Sequence, residues 1–409
     1  MSLTNTNVSY GSVTKTFHWL TALLIFTALP LGWFANNLAH AIYDPTIPTT
    51  EADLAQAARL FSLHKTVGIT VFFVALARIL WAVTQTKPGL LNADNKPEAF
   101  AAETVHWLLY GSLVLVPLSG WIDHAATEGF APILWPFGQN LPLVPKSEHL
   151  AEVMATLHWL FMLVLVAALT LHIAGALKHH VIDKDSTLRR MLPGASAAPV
   201  PPEQKHSMTP AAAAGLVWVG VLSAGLLTGS FSDKPDAEVA TAELAAVQSD
   251  WQVEEGTLAI TITQLGNPVT GQFSDWTAAI TFDDPVEPGP AGSAEVTVSI
   301  GSLSLGTVTD QAMGADFFDK AQFPTAKFDA EIYNTETGYE ARGPLTIRDQ
   351  TLDVVLPFSL DIQGETAKMS GTMELNRLDF GVGQSMPKED SLAFAVTVSV
   401  ELTATRNAQ

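Results

Sequence analysis

A stretch of 25 residues without a charged side chain, 153–177, constrains the fold of this chain more than any other feature. It can cross a bilayer as a helix, since about 20 apolar residues span a hydrocarbon core about 30 Å thick. His158 and His172 lie 14 residues apart within it. Because this spacing is close to four helical turns, both imidazoles point the same way, about 21 Å apart along the axis. A histidine near each membrane face predicts stacked metal cofactors and transmembrane electron transfer through two haems.

Further apolar segments divide the chain into four parts. Five segments are long enough to span a bilayer, at about 16–34, 66–83, 104–122, 153–177 and 210–231. A Pro/Ala-rich stretch separates the fourth from the fifth and is typical of a linker. We therefore expect a four-helix membrane domain over 1–195, a linker over 196–209, a fifth membrane helix over 210–231 and a second domain over 240–409.

Charge and composition distinguish the two halves. Of the 41 acidic and 21 basic residues, 28 acidic and 9 basic residues follow position 208, whereas all 11 histidines precede it. The acidic half argues against a nucleic-acid partner. The absence of cysteine excludes disulfides, c-type haem attachment and cysteine-ligated iron–sulfur clusters.

Basic residues predict the orientation, since they concentrate on the cytoplasmic side. They precede the first segment and follow the second and fourth, namely Lys15, Arg78, Lys87, Lys96, Lys178, Lys184, Arg189 and Arg190. This places the N-terminus in the cytoplasm. The fifth helix then carries the acidic domain outward, into the periplasm if the membrane is a bacterial inner membrane.

The acidic half shows the period-2 alternation of half-buried strands. Phe394, Val396, Val398 and Val400 alternate with small or polar residues, and we count about eight such strands with a short helix near 309–321. This pattern predicts an all-β antiparallel domain, either a closed barrel or a sandwich.

Four intramembrane histidines can be matched by depth. Haem iron bound by two imidazoles takes one histidine from each of two facing helices. The first helix has His18 near its cytoplasmic end, and the returning second helix has His64 near its outer end. Depth therefore pairs His18 with His172 and His64 with His158. Unpaired polar groups in hydrocarbon cost about 2–7 kcal/mol each, so a packing role for all four is the weaker alternative.

Neighbouring residues support these sites. Gly68 lies one turn after His64, where a missing side chain lets a porphyrin approach. Arg78 lies at the depth of the cytoplasmic haem and either pairs a propionate or snorkels to the interface. His106 is the main rival ligand, with a quinone site or helix packing as its other roles. His179 and His180 end the fourth helix as solvated interfacial residues or as groups that exchange protons at a quinone site. The remaining histidines are expected in loops or the linker and have no assigned role, namely His40, His124, His149 and His206.

The first 195 residues resemble the bacterial cytochrome b561 family. The matching stretches are His18-Trp19-Leu20, His64-Lys65-Thr66-Val67-Gly68 with Arg78, Pro117-Leu118-Ser119-Gly120-Trp121 and the run from His172 to Leu192. The resemblance implies a four-helix bundle with two b haems that exchanges electrons with a membrane quinone or quinol. Superoxide is another donor that the family implies. The fifth helix is additional to the family pattern.

Residues 245–405 resemble the YceI-like family, which implies an exported lipocalin-like barrel that holds a polyisoprenoid. The matches are Trp251, Val269-Thr270-Gly271-Gln272-Phe273, Asp316-Phe317-Phe318-Asp319, Gly343-Pro344-Leu345-Thr346-Ile347 and Asn376-Arg377-Leu378-Asp379-Phe380-Gly381. The family's arginine-aspartate pair is kept only in part, as Thr309-Asp310. A barrel packed solid by its own side chains is the alternative.

Together these features predict an electron-transfer cytochrome, or a quinone-linked oxidoreductase, with an unidentified redox partner protein. Its barrel would hold an isoprenoid, such as the quinone itself, above the membrane. One alternative is a superoxide-oxidising cytochrome. Another is a lipid-binding protein whose membrane part is a non-catalytic anchor.

Overall fold

The computed structural model describes residues 2–43, 50–127, 131–138, 140–194, 199–202, 207–232, 244, 247, 249–264 and 266–407. Five helices in these ranges are apolar and long enough to cross a membrane. They are α1 (Ser12–Tyr43), α2 (Glu51–Val83), α3 (Lys96–Ala126), α4 (Glu148–Lys178) and α5 (Thr209–Leu227). The five predicted spans are thereby confirmed as membrane-length helices. The first four extend beyond the apolar runs, because helical structure continues into the polar residues beside them.

The helices pack through two apolar clusters that share α3. Ile25 of α1 and Val71 of α2 meet Leu113 of α3 in one cluster. Leu108 of α3 meets Val164 of α4 and Ala214 of α5 in the other, along with Ala168. Because a bilayer offers no hydrophobic driving force between helices, close packing of small and branched side chains supplies the association.

The additional helix α5 lies against α3 and α4. The Trp218 ring covers Gly111 of α3, where a Cβ would lie 3.2 Å from its Nε1 atom. The same ring meets Phe161 of α4 edge-on, with ring centres 5.3 Å apart. Thr156 of α4 donates a hydrogen bond to the Ser230 carbonyl just beyond α5. These contacts make α5 part of the bundle.

The acidic half forms one antiparallel sheet of ten strands, whereas the alternation predicted about eight. The strands are β1 (Trp251–Gln264), β2 (Asn267–Phe273), β3 (Trp276–Phe282), β4 (Gly289–Ser299), β5 (Leu303–Ser304), β6 (Thr325–Thr335), β7 (Gly338–Ile347), β8 (Gln350–Gln363), β9 (Thr366–Asn376) and β10 (Ala395–Arg406). Their order is β3-β4-β6-β7-β8-β9-β10-β1-β2-β5. The expected helical insertion is the short helix α6 (Thr309–Met313).

The sheet curls until its ends approach each other. The Asp250 amide, just before β1, donates to the Ile280 carbonyl of β3 at 2.9 Å. The Trp251 indole donates to the Phe282 carbonyl at 3.3 Å. At Gly256 a Cβ would lie 2.6 Å from the Trp276 ring, so glycine lets this ring cover β1. These contacts turn the sheet into a barrel-like wall rather than two stacked sheets.

The wall forks between β8 and β9. β8 pairs with β7 through Gln350–Phe358 in register Gln350↔Ile347 to Phe358↔Tyr339. It pairs with β9 only from Phe358↔Gly371 to Gln363↔Thr366. The strands cross closely at Gly371, where a Cβ would lie 2.9 Å from Phe358 Cβ. Over residues 350–376, all of which the structure describes, no ladder pair joins the strands beyond this crossing.

Candidate cofactor sites and the cavity of the β domain

His64 and His158 face each other from α2 and α4, with ring centres 6.2 Å apart. His64 Nδ1 lies 2.9 Å from the Ala28 carbonyl of α1. His158 Nδ1 lies 2.8 Å from the Val116 carbonyl of α3. A carbonyl only accepts, so both Nδ1 atoms carry the proton and both Nε2 atoms keep a free lone pair for a metal.

A glycine seats each of these rings. A Cβ at Gly32 of α1 would lie 2.7 Å from His64 Cε1, and a Cβ at Gly120 of α3 would lie 2.9 Å from His158 Nδ1. Gly32 follows Ala28 by four residues, as Gly120 follows Val116, so each carbonyl and its glycine share a helix face. We call His64 and His158 the glycine-seated pair. Sequence reasoning missed both glycines, since their role depends on rings from other helices.

Three histidines meet at the other depth, which we call the three-histidine cluster. The His18 and His172 rings have centres 6.1 Å apart. The His106 ring lies edge-on to His172 at 5.1 Å, and its Nδ1 donates to the Ala102 carbonyl of its own helix at 2.6 Å. Within the described ranges, the His18 and His172 rings hydrogen-bond to no protein group.

The ring separations fit a bis-imidazole metal at each depth. Imidazole nitrogens bind transition metals at about 2 Å, which sets the centres of two coordinating rings about 6 Å apart. The His64–His158 and His18–His172 separations match this distance. The 5.1 Å edge contact of His106 with His172 is too short for an ion between them. The donor sets therefore fit two haems, and the geometry favours His18 over His106.

Arg78 and Gly68 lie near these rings. The Arg78 guanidinium lies 5.5 Å from the centre of the Tyr110 ring, and its charge acts on His18, His106 and His172. Apart from its own helix backbone, a Cβ at Gly68 would meet no atom of the described residues within 4 Å, and the same is true of Gly175. Protein packing therefore does not explain either glycine, and the porphyrin role of Gly68 stays a prediction.

Arg190 is a buried cation in the segment after α4, which contacts the start of α1 through the hydrogen bond from the Trp19 indole to the Met191 carbonyl. It is 3% exposed, and burial lowers its pKa. Its Nη1 donates to the Gly89 carbonyl at 2.8 Å. Its Nε and Nη2 have no hydrogen-bond partner among the described residues. An unpaired buried donor costs about 1–3 kcal/mol, and more when it is charged. Sequence reasoning used Arg190 only for orientation, because neighbouring Arg189 gives the same signal.

A charged cluster forms where α4 widens into a π turn, His179–Asp183. The turn places buried His179 beside Glu98 of α3, with Nε2 3.3 Å from the Glu98 carboxylate. Lys178 binds both Glu98, at 2.5 Å, and Asp183, at 2.8 Å. Glu98, His179 and Asp183 are close enough to hold a metal, but the Lys178 ammonium already contacts both carboxylates.

Asp185 completes this cluster and holds the other side of His179. Its carboxylate lies 2.7 Å from His179 Nδ1 and accepts from the Thr187 amide at 2.7 Å. Burial raises the pKa of Asp185, but the bonds from Thr187 and His179 outweigh burial and hold that pKa below its usual value. His180, by contrast, is exposed. The predicted pair therefore divides into one buried histidine among carboxylates and one surface histidine.

The remaining histidines differ from the sequence expectation that they lie in loops. His40 is in α1, His124 is half-buried near the end of α3 and His149 lies in the first turn of α4. These helices continue past the apolar runs that predicted them. His206 lies outside the described residues.

The β domain encloses an apolar cavity of about 240 Å³. Among the described residues, its lining is entirely hydrophobic except for Arg377. Val396, Val398 and Val400 face it as the alternation of β10 predicts. Phe394 does not line it and instead faces the Arg377 guanidinium, whose centre is 5.5 Å from the ring. The barrel is therefore not packed solid.

Arg377 brings no free charge to this cavity. Its guanidinium donates to the carbonyls of Val382, Gly383, Met386, Leu392 and Ala393. Tyr339, which is not among the lining residues, donates its hydroxyl to Asp284 at 2.5 Å, and this bond raises the pKa of Tyr339 to about 12. The cavity thus favours an apolar ligand and offers no unpaired charge to a polar head group.

Comparison with known proteins identifies a family for each part of the chain. The prokaryotic cytochrome b561 family matches residues 9–194, and the YceI-like domain family matches residues 248–404. Both resemblances drawn from the residues are thereby confirmed. Helices α1 to α4 and the curled antiparallel sheet correspond to these two matches in chain order, and α5 lies between them.

Individual relatives divide in the same way. "Cytochrome b561 homolog 2" of Escherichia coli is 32% identical over 193 residues, which cover 47% of this chain and 95% of that protein. "Probable superoxide oxidase CybB" of Yersinia pestis is 26% identical over 188 residues, covering 45% of this chain and 96% of that protein. The crystal structure of Burkholderia cenocepacia BcnA shares 28% identity and covers 38% of this chain and 100% of its own, with a TM-score of 0.36.

Proposed function

The chain belongs to the prokaryotic cytochrome b561 family, and on this premise we propose that it transfers electrons across a membrane through two b haems. The carrying observation is the two pairs of facing histidines, His18–His172 at 6.1 Å and His64–His158 at 6.2 Å. Bound haem supplies one-electron redox chemistry, and the protein adjusts its potential through ligands, hydrogen bonds and burial.

Each histidine has a specific task in this proposal. His64 and His158 offer Nε2, because carbonyls on α1 and α3 hold their Nδ1 protons. Such second bonds fix the ring orientation and raise the basicity of the ligand. His18 and His172 would hold the other haem, with Arg78 pairing one of its propionates. Gly68, one turn after His64, would leave room for the porphyrin face at the first site.

The electron partner in this proposal is a membrane quinone or quinol at the end of the bundle that carries the charged cluster. His106 would contact its head group, and His179 and His180 would exchange its protons. Support comes from the position of His179 between the Glu98 and Asp185 carboxylates. Groups so arranged can pass protons to a redox centre whose reduction consumes them.

Superoxide oxidation is a second candidate function. It is supported by the Yersinia pestis relative with that name, whose match covers 96% of its length. Superoxide would donate at the glycine-seated pair, on the outer side in the proposed orientation. The N-terminus would be cytoplasmic in a bacterial inner membrane, and the β domain would be periplasmic, following the distribution of basic residues.

The β domain would bind a polyisoprenoid chain, such as the tail of the quinone. The supporting observation is the hydrophobic lining of its cavity, since an apolar cavity with satisfied polar groups suits a chain without polar groups. The tether to the membrane part raises the effective concentration of such a ligand near the cytochrome.

A haem assay with donor tests would decide among these functions. We expect a pyridine haemochrome assay of the purified protein to give about two b haems per chain, with His158→Ala and His172→Ala each losing a different one. Quinol reduction of the spectrum supports quinone exchange, whereas reduction by a superoxide source alone supports the second candidate. A protein without redox-active haem would instead be a lipid-binding protein on a membrane anchor.

The ligand of the β domain is testable in the full-length protein. Ala326 lines the cavity from β6, whereas neighbouring Lys327 points outward. Ala326→Phe should reduce the isoprenoid that copurifies, as measured by mass spectrometry, because the new ring occupies ligand space. Lys327→Phe adds the same ring outside the barrel and should leave the amount unchanged. An empty unmodified protein that takes up no added quinone would contradict the proposal.

The orientation has its own test. Alkaline phosphatase folds only outside the cytoplasm, so a fusion after Asp236 should be active and one at Pro199 inactive. The reverse result would contradict the five-helix orientation.

A further inference from the structure

Arg190 has a larger capacity for hydrogen bonds than the protein satisfies. A guanidinium offers five N–H groups in a planar fork. In Arg190 only Nη1 has a protein partner, the Gly89 carbonyl at 2.8 Å. Nε and Nη2 are both buried without a partner in the described part of the chain. These two nitrogens lie on one side of the fork, which matches the two oxygens of a carboxylate.

Groups next to the Arg190 guanidinium contact it or act on its charge, but none of them neutralises that charge. The Tyr10 ring lies 5.4 Å from the guanidinium centre, and burial raises the pKa of Tyr10, so this phenol is neutral. Asp185 is the carboxylate whose charge acts on Arg190, but its oxygens are already bonded to His179 and Thr187. The structure describes no salt bridge for Arg190, so its positive charge needs another anion.

The charge of a second arginine, Arg78, also reaches the Tyr10 ring. The charges of Arg190 and Arg78 both act on Tyr10, and that of Arg78 also acts on His18 and His172. The Arg190 guanidinium therefore lies against the half-buried Tyr10 ring, whereas the Arg78 guanidinium lies on the Tyr110 ring and acts on Tyr10 through its charge. The chain segment that carries Arg190 is fixed there, because Lys15 donates to the Leu192 carbonyl and Trp19 to the Met191 carbonyl.

We propose that Arg190, together with Arg78, binds a carboxylate of the porphyrin held by the three-histidine cluster. The inference rests on the proposed function, since it requires a haem at His18 and His172. Arg190 would supply the paired contact through Nε and Nη2, and Arg78 would add charge from α2. The buried guanidinium thereby gains the anion that the protein itself does not provide.

Exposed Arg189 is a matched control for buried Arg190. Arg190→Gln and Arg189→Gln each remove one cation from adjacent positions of the full-length, haem-loaded protein. Optical redox titration should show that the potential of one haem in Arg190→Gln is lower by at least 59 mV. This shift corresponds to a tenfold change in the oxidised-to-reduced ratio of that haem. The unpaired carboxylate favours the oxidised metal. The shifted haem should be the one that His172→Ala removes, and Arg189→Gln should shift neither.

A vibrational readout separates binding from a merely structural role. With haem labelled with ¹³C at the propionates, the reduced-minus-oxidised infrared spectrum should show a moved carboxylate stretch in Arg190→Gln and Arg190→Lys only. Lysine keeps the charge but loses the paired contact, so this variant should recover most of the potential.

The inference is overturned if Arg190→Gln leaves both potentials and the labelled band unchanged, or if Arg189→Gln has the same effect. Should Arg190→Gln fail to fold, an unmoved band in Arg190→Lys overturns it equally. A starting protein with two haems and an unresponsive Arg190 contradicts this inference alone. A starting protein without haem at the cluster contradicts the proposed function as well.

Discussion

The glycine-seated pair and the three-histidine cluster solve the same problem differently. Around His64 and His158 the protein supplies everything but the metal, since carbonyls hold both Nδ1 protons and glycines seat both rings. Around His172 a third ring competes at 5.1 Å, and buried Arg190 keeps two nitrogens without a partner among the described residues. Under the proposed function, one site is organised before a haem binds, whereas the other has groups that only a haem would satisfy. We expect the first to depend on backbone fit and the second on charge.

The largest effect should come from removing, one at a time, the two rings that compete for a place opposite His172, namely those of His18 and His106. His18→Ala should remove about one of two haems, because no other ring lies at a suitable distance from His172. His106→Ala should keep both, since its edge contact leaves no room for an ion. Haem content and the difference spectrum measure both outcomes. If His106→Ala loses a haem and His18→Ala does not, the ligand assignment is wrong.

A smaller effect is expected from filling the glycine seats. A methyl group at Gly32 or Gly120 would lie within 3 Å of a histidine ring, and such overpacking costs about 1–3 kcal/mol. Gly32→Ala and Gly120→Ala should therefore weaken retention of the haem at His64 and His158 and leave the other haem intact, as seen in spectra during detergent washing. Gly215→Ala is the control, since its Cβ meets no protein atom within 4 Å. Equal loss of both haems would remove the distinction between the sites.

The smallest effect should come from Ser119, which shares the carbonyl that orients His158. Its hydroxyl donates to the Val116 carbonyl at 2.9 Å and to the Leu115 carbonyl at 2.8 Å. Ser119→Ala removes the hydroxyl that shares the Val116 carbonyl with His158 Nδ1. Because the carbonyl then accepts more strongly from His158, the ring becomes slightly more basic, and the haem potential should fall by less than 59 mV. Ser112→Ala, which removes a hydroxyl without a partner in the described structure, should not change the potential. A shift above 59 mV would mean that the backbone bond does not dominate this site.

The sequence predicted the parts of this architecture that depend on periodicity. Apolar runs located five membrane-length helices, and a 14-residue spacing placed two histidines on one face of α4. Alternation located the strands, although it could not reveal the two-residue β5, which is too short to alternate. The assignment of His18, His64, His158 and His172 as ligands stays a prediction, to which the structure adds two facing pairs of rings.

Features that depend on contacts between distant segments were not predictable in this way. Gly32 and Gly120 are ordinary membrane-helix glycines until the rings of α2 and α4 lie against them. Arg189 and Arg190 are equivalent in the sequence, and only the fold buries one of them. His124 was expected in a loop because the apolar run ends before it. In the structure, α3 continues through the polar residues that follow that run. In each case the role of the residue depends on which distant segment packs against it, and the local sequence does not contain this information.

The fork between β8 and β9 also has a consequence for how the wall of the cavity fluctuates. Separating two paired strands breaks one backbone hydrogen bond after another, at a net cost of about 0.5–1.5 kcal/mol each. Beyond the crossing at Gly371 the structure describes no ladder bond to break between these strands. We expect amide protons that point into this seam to exchange with water without unfolding of the sheet, whereas those between β1 and β10 are held along ten paired positions. Breathing of the barrel is therefore concentrated at one seam, and the apolar interior lines that seam through Leu356 and Met373.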